Sequence, residues 1–255
     1  MLNLAVIRPW GTVDFFVLPG FRERTFAGKS GRLRSEPRVE RSRATYESPA
    51  ENTHADFAVR YAQVFNTLDI GVYHFWGTNR EPDLVPKLSA SAVPVLIPVY
   101  NLIHQTGLDL LYSAGNWLWK FEGLRRGGRN GEYFSAVGGF EYTYVGVLQT
   151  SMDIRVLAEY HRDERGQNWP QAFNHDLFLG SRVSFNDEAG SQMLIGVVAD
   201  LYGAGNFGSI EFSRRLDSHW SLEGEARAFW GSELRDLGRF VEQDDYVQIA
   251  LRRFF

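Results

Sequence analysis

The most unusual chemistry of the chain is concentrated in FRERTFAGKSGRLRSEPRVERSR, residues 21–43. Arg22, Arg24, Lys29, Arg32, Arg34, Arg38, Arg41 and Arg43 stand there against only Glu23, Glu36 and Glu40. Guanidinium groups offer planar forks of donors that match carboxylate and phosphate oxygens, so so basic a segment attracts anions. It can filter small anions or hold phosphate groups; the plain alternative is a solvated loop. A second set of charges recurs at every second residue: Lys120 and Glu122, Glu141, Asp153, Arg155 and Glu159, Arg182, Glu211 and Arg215, Glu223, Glu225 and Arg227. On an extended chain a spacing of two puts such residues on one face, where opposite charges on neighbouring strands can pair.

Composition removes several other chemistries. Cysteine is absent, which excludes a thiolate nucleophile, a disulfide framework and a Cys-based metal site. The net charge of −4 argues against a general nucleic-acid binder. Gly203-Ala204-Gly205 precedes a strand, not a helix, so it does not read as a nucleotide loop. His161 and His175 lack further evident ligands and read as rim polarity, so no metal and no cofactor is expected.

The elements that position these residues read as strands. Amphipathic helical spacing is nearly absent, and segments of about ten residues alternate with period 2 between turn residues. In WSLEGEARAFW (220–230), Trp220, Leu222, Gly224, Ala226, Ala228 and Trp230 share one face, and Ser221, Glu223, Glu225, Arg227 and Phe229 the other. The same holds for 208–216, 193–201, 177–185 and 153–161, and less cleanly for 132–145, 116–126, 99–111, 68–78, 56–65 and 12–19. This gives about twelve strands, with Leu2–Arg8 as a remnant of another. Short links are expected at Asn66-Thr67, 113–116, 146–149, 186–190 and Asp217-Ser218. Longer ones are expected at 20–55, 79–98, 127–131, 163–172 and 232–243, with Tyr202–Gly205 a short exception. Gly138 and Gly139, inside a strand, suggest curvature or close packing.

Alternation suits a soluble β-sandwich, with its apolar face as core, and equally a transmembrane barrel, with its apolar face toward lipid and its polar face toward the lumen. Three features favour the barrel. The strands are long. Aromatics, 15% of the chain, sit near strand ends at Trp76, Trp117, Trp119, Tyr142, Tyr144, Tyr160, Trp220, Trp230 and Phe255, where an interfacial girdle lies. The polar faces carry charges of both signs. No transmembrane helix is expected, because AVPVLIPVYNLI holds two prolines and is too short to span as a helix. MLNLAVIRPWG has no basic region and no cleavage site of a signal peptide.

The ending DDYVQIALRRFF carries a resemblance. Val247, Ile249, Leu251 and Phe255 fall on one side, and the chain stops on Phe. This resembles the C-terminal signature strand of Gram-negative outer-membrane β-barrel proteins, which in that family is read by the barrel-assembly machinery. Arg253 departs from the pattern at a position where its stem can snorkel. FVLPGFRERTF and WLWKFEG resemble segments of uncharacterised porin-like barrels.

The resemblance implies one antiparallel up-and-down transmembrane β-barrel domain over 1–255, in the bacterial outer membrane, with a periplasmic C-terminus, short turns in the periplasm and the Arg-rich segment 20–55 outside or folded into the lumen. Its partners would be outer-membrane lipids, lipopolysaccharide and small solutes. Counting strands backward leaves Leu2–Arg8 as an odd strand, so a barrel truncated at its N-terminus is expected. The expected function is porin-like passage of small solutes, anions among them. Arg22, Arg24, Arg32, Arg34, Lys120, Glu122, Glu141, Arg155, Glu159, Arg182, Glu211, Glu223, Glu225 and Arg227 would line the lumen and set selectivity, and no residue is assigned to catalysis. The alternatives are an outer-membrane enzyme and a non-conducting structural or recognition barrel. Outer-membrane phospholipases place His and Ser two apart, followed by Asn; His219-Trp220-Ser221 has that spacing, but Leu222 follows. Outer-membrane proteases use acidic residues with a His–Asp pair at the outer rim. His161 and Asp163 share a face, with His175 on the adjacent strand, but no paired-carboxylate motif is evident.

Overall fold

The structure, a computed structural model, describes residues 1–255 except 29, 32–34, 166–173, 204 and 232–243. The described residues form sixteen strands: β1 (Leu2–Arg8), β2 (Gly11–Pro19), β3 (Thr45–Tyr46), β4 (Ala55–Phe65), β5 (Leu68–Thr78), β6 (Asp83–Leu88), β7 (Pro94–Tyr100), β8 (Leu102–Ala114), β9 (Trp117–Gly128), β10 (Gly131–Tyr144), β11 (Asp153–Asp163), β12 (His175–Ser184), β13 (Gln192–Asp200), β14 (Asn206–Arg215), β15 (Trp220–Trp230) and β16 (Tyr246–Arg253). There is no α-helix among the described residues. Strand makes up 66% of the chain, and thirteen strands form one antiparallel sheet. Its order is β1-β2-β4-β5-β8-β9-β10-β11-β12-β13-β14-β15-β16; β3, β7 and β6 form a second, small sheet. The chain divides into two compact units, the first Met1–Phe65, Ile70–Leu108 and Leu124–Phe134, the second Asn66–Asp69, Asp109–Gly123 and Ser135–Phe255.

In the first unit, β1 and β2 form a hairpin that pairs Leu4 with Phe15 and Val6 with Val13. β2 then pairs with β4, Phe15 facing Val59. The expected long loops 20–55 and 79–98 are not wholly loop. They contribute β3, β6 and β7, in which β7 pairs antiparallel with β6 and parallel with β3. The expected strand 99–111 is divided at Asn101, the buried residue between β7 and β8. Its side chain donates to Asp83 and its carbonyl accepts from Asn79 N–H at 2.8 Å, so it leaves both ladders. The expected long link 127–131 is the two-residue connection Arg129-Asn130 between β9 and β10.

In the second unit, β11 to β16 pair in chain order, each strand with the next. Aspartates close the turns. Asp217 Oδ1 accepts from the N–H groups of His219 and Trp220 at 2.7 and 2.9 Å, and Asp187 accepts from Ser191 N–H at 2.7 Å and its hydroxyl at 2.8 Å. A carboxylate that takes main-chain donors near its own position is the mechanism by which Asp favours turns. Gly139 lies directly opposite Glu159, and a Cβ there would stand 2.7 Å from Glu159 Cγ. Its absence lets the glutamate lie across the sheet, which is the close packing expected at that pair of glycines.

The hydrophobic core of the described residues is very small. Val95, Ile97 and Tyr100 are its buried hydrophobic members, and all three belong to β7. The large apolar residues of the main sheet are exposed instead, among them Leu4, Phe15, Val72, Trp119, Leu179, Val197, Ile210 and Ile249. Side chains alternate across a strand, and in the second unit the registers put Leu179, Val197, Ile210 and Ile249 on the face opposite Arg182, Glu211 and Glu225.

Candidate functional site on the polar face

The site is built by register. Residues directly opposite on neighbouring strands share a face. In the second unit one lateral row therefore runs Thr143, Arg155, Arg182, Leu194, Glu211, Glu225, Gln248. The next row includes Glu141, Leu157, Gly180, Gly196, Ser209, Arg227 and Tyr246. The alternation read from sequence thus brings Glu141, Arg155, Glu159, Arg182, Glu211, Glu223, Glu225 and Arg227 to one face.

Two ionic networks occupy this face. Lys120 Nζ on β9 donates to Glu141 at 2.8 Å and to Glu159 at 2.7 Å. Glu141 also accepts from Arg155 Nη1 at 3.2 Å, and Arg155 Nε donates to Thr143 at 3.2 Å. The second network lies on β14 to β16. Arg227 meets Glu225 at 2.5 Å and Glu211 at 3.7 Å, and Arg252 meets Glu223 at 2.7 Å. Glu211 and Glu225 are directly opposite each other, a like-charge pair that Arg227 makes tolerable. Arg182 makes no hydrogen bond or ion pair among the described residues, although Arg155 is its direct neighbour. Glu122 is exposed and likewise without a partner there.

A cavity of about 320 Å³ lies against the second network, and its lining includes Arg182, Leu194, Glu211, Glu223, Glu225 and Arg252.

The basic segment is anchored within the first unit. Asp56, fully buried, accepts from Thr78 N–H at 2.9 Å, Arg80 Nη2 at 2.5 Å and His54 Nδ1 at 2.7 Å. Gly77 makes room for it, because a Cβ there would stand 2.3 Å from the Asp56 carboxyl. The Arg80 guanidinium lies over Phe21, 4.6 Å from the ring centre, and Phe21 packs on Tyr100, itself stacked on Tyr46. The Tyr46 hydroxyl donates to Glu23. Burial and the Glu23 carboxylate push the Tyr46 phenol far above its usual range, and burial pushes Tyr100 up as well. Arg24 lends its N–H to the Tyr100 hydroxyl at 3.0 Å, and its guanidinium faces Glu81 at 3.6 Å. Arg41 and Arg43 face Glu23 and Glu40. Arg22 is exposed. Arg32 and Arg34 lie outside the described residues.

The remaining candidates separate. His161 is opposite Asp176, and His175 is opposite Arg162, so alternation puts the two histidines on opposite faces. The register reveals a carboxylate pair that the sequence concealed, Asp176 directly opposite Asp200. Both are engaged by main-chain donors: Asn174 and His175 N–H on Asp176, Tyr202 and Gly203 N–H on Asp200. His219 bonds Ser218 at 2.9 Å, while the buried Ser221 hydroxyl is unpartnered. No cluster of three or more metal-ligating side chains occurs among the described residues. At the terminus, β16 ends at Arg253, whose guanidinium lies over Trp220 and Phe255.

No protein-family profile matches the chain, and no curated protein or solved structure matches it.

Proposed function

We propose that this chain is an outer-membrane β-barrel protein that lets small solutes pass through a charged, water-filled lumen. One observation carries the reading. A sheet of thirteen strands leaves large apolar side chains exposed along its length, yet the buried hydrophobic residues of the described chain number three. A soluble sandwich must cover such a face with a second layer of its own. Here the cover is best supplied by lipid, with the charged face toward water. Aromatics at the short-turn ends, Trp10, Trp117, Tyr144 and Trp220, suit the membrane interface. Arg253 on Trp220 and Phe255 is a cation held at that level.

In this mechanism solutes are filtered by size and sign through the polar-face charges and the basic segment 21–43. The C-terminus is periplasmic, β16 is the strand the assembly machinery reads, and lipopolysaccharide meets the outer rim. The test is conductance of the refolded protein in planar bilayers under a salt gradient. The reading expects stable ohmic openings with anion preference, reduced when Arg22, Arg24, Arg32 and Arg34 are neutralised. A folded, membrane-inserted but electrically silent protein would reject passive passage and favour a recognition or enzymatic barrel.

A further inference from the structure

We infer that the cavity on the polar face of β12 to β16 binds a linear zwitterion, its carboxylate on Arg182, its alkyl chain over Leu194 and its ammonium at Glu211. The inference rests on the reading of this face as water-filled.

Arg182, Leu194 and Glu211 are consecutive members of one lateral row, on β12, β13 and β14. Neighbouring strands lie about 4.8 Å apart, so the two charged positions are separated by about 10 Å. They form no ion pair across that gap, and the residue between them is apolar. A cation, an apolar step and an anion in line complement a molecule with the reverse order of charges.

The other charges of the cavity are already committed. Arg252 is held by Glu223, and Glu225 by Arg227 and the Tyr246 hydroxyl at 2.5 Å. Arg155, beside Arg182, is held by Glu141 and Thr143. Arg182 keeps its whole fork of donors, and Glu211 has only the 3.7 Å approach of Arg227. Two arginines directly opposite each other repel, and a carboxylate on Arg182 relieves that repulsion. Ala250, directly opposite Glu223, leaves room above the sheet, and Gln192, Ser213 and Gln248 add polar partners at the margin. The volume of about 320 Å³ suits a small ligand. Inorganic phosphate fits less well, because Glu211, Glu223 and Glu225 all border the same space.

The test is calorimetric titration of the full, detergent-folded chain at low ionic strength with 6-aminohexanoate, hexanoate, hexylammonium and inorganic phosphate. The zwitterion is expected to bind at least about tenfold more tightly than either single-charge analogue or phosphate. Arg182→Gln should remove that binding, and Arg182→Lys should weaken it because the fork is lost. Glu211→Gln, a milder change at an exposed carboxylate, should lower the zwitterion to the affinity of hexanoate. Arg214→Gln, on the opposite face, should change nothing. Equal binding of zwitterion and hexanoate, or zwitterion binding unaltered by Arg182→Gln in a folded variant, overturns the proposal. Binding is read without any current, so a silent barrel that binds refutes passage alone, and a conducting barrel that does not bind refutes this site alone.

Discussion

At the scale of single residues, the molecule invests its carboxylates in holding the chain in place. Asp56 gathers a main-chain donor, a guanidinium and an imidazole at a position with no exposure. Asp56→Ala leaves the Thr78 N–H without its acceptor and Arg80 without its counter-charge. The expected cost is about 2–3 kcal/mol, read as a fall in unfolding midpoint, with earlier proteolytic cutting within residues 20–54. Asp187 acts at a turn, where the Ser191 N–H and hydroxyl lower its carboxyl below the ordinary value. A folded value below the unfolded one gives stability that is present above the unfolded pKa and lost as pH falls through the lowered folded value. Protection of the Ser191 amide, its exchange measured against the intrinsic rate at each pH, should therefore fall on acidification through that range, and Asp187→Ala should abolish this change in protection. Tyr46 shows the opposite case, because its raised phenol costs the folded state stability only at strongly alkaline pH. None of these partnerships is visible in sequence. Arg80 is 24 residues from Asp56, and nothing in the local pattern links them.

At the scale of the element, what could be read depended on whether a strand's two faces differ. β11 to β16 alternate apolar and polar side chains, so their existence, their approximate ends and the face of Arg155, Glu211 or Arg227 follow from period 2 alone. The segment 79–101 is harder to read. Pro94 and Pro98 interrupt the strand signal, and PVLIPVY is apolar on both sides because β7 is buried on both. A strand of that kind resembles a loop with greasy residues. Register was also beyond reach: the opposition of Arg155 to Arg182 and of Asp176 to Asp200 depends on turn geometry, which fixes the pairing to a single residue. The small sheet makes its own prediction. Val95 is fully buried in the only apolar core found among the described residues, so Val95→Ala should cost about 2–3 kcal/mol and loosen β3 and β6 together. Hydrogen exchange across Thr45–Tyr46 and Asp83–Leu88 checks this, since a change confined to β7 would contradict a shared core.

At the scale of the whole chain, the contrast between the two faces of the sheet is the property that most separates the membrane reading from a soluble one. Val197 is 41% exposed, and in water its replacement by arginine would be nearly neutral. If the face meets lipid, Val197→Arg should cost about 2–4 kcal/mol near the midplane, while Glu122→Arg on the charged face should stay within about 0.5 kcal/mol. Equilibrium unfolding from lipid vesicles measures both, and equal costs would count against the membrane. Sequence patterning conveyed the two-faced character of the molecule but not what covers the greasy side, since lipid and a second sheet ask the same alternation of a strand. The chain-order pairing of β11 to β16 carries a consequence for assembly. Among the described residues β12 to β15 each pair with their predecessor and successor, and β16 pairs with β15, so these contacts close short loops and little entropy is lost at each step. Folding of this part can then advance as a zipper, one hairpin templating the next. Between β5 and β8, by contrast, the small-sheet segment must be looped out before the ladder can continue, and a pause in folding is to be sought there.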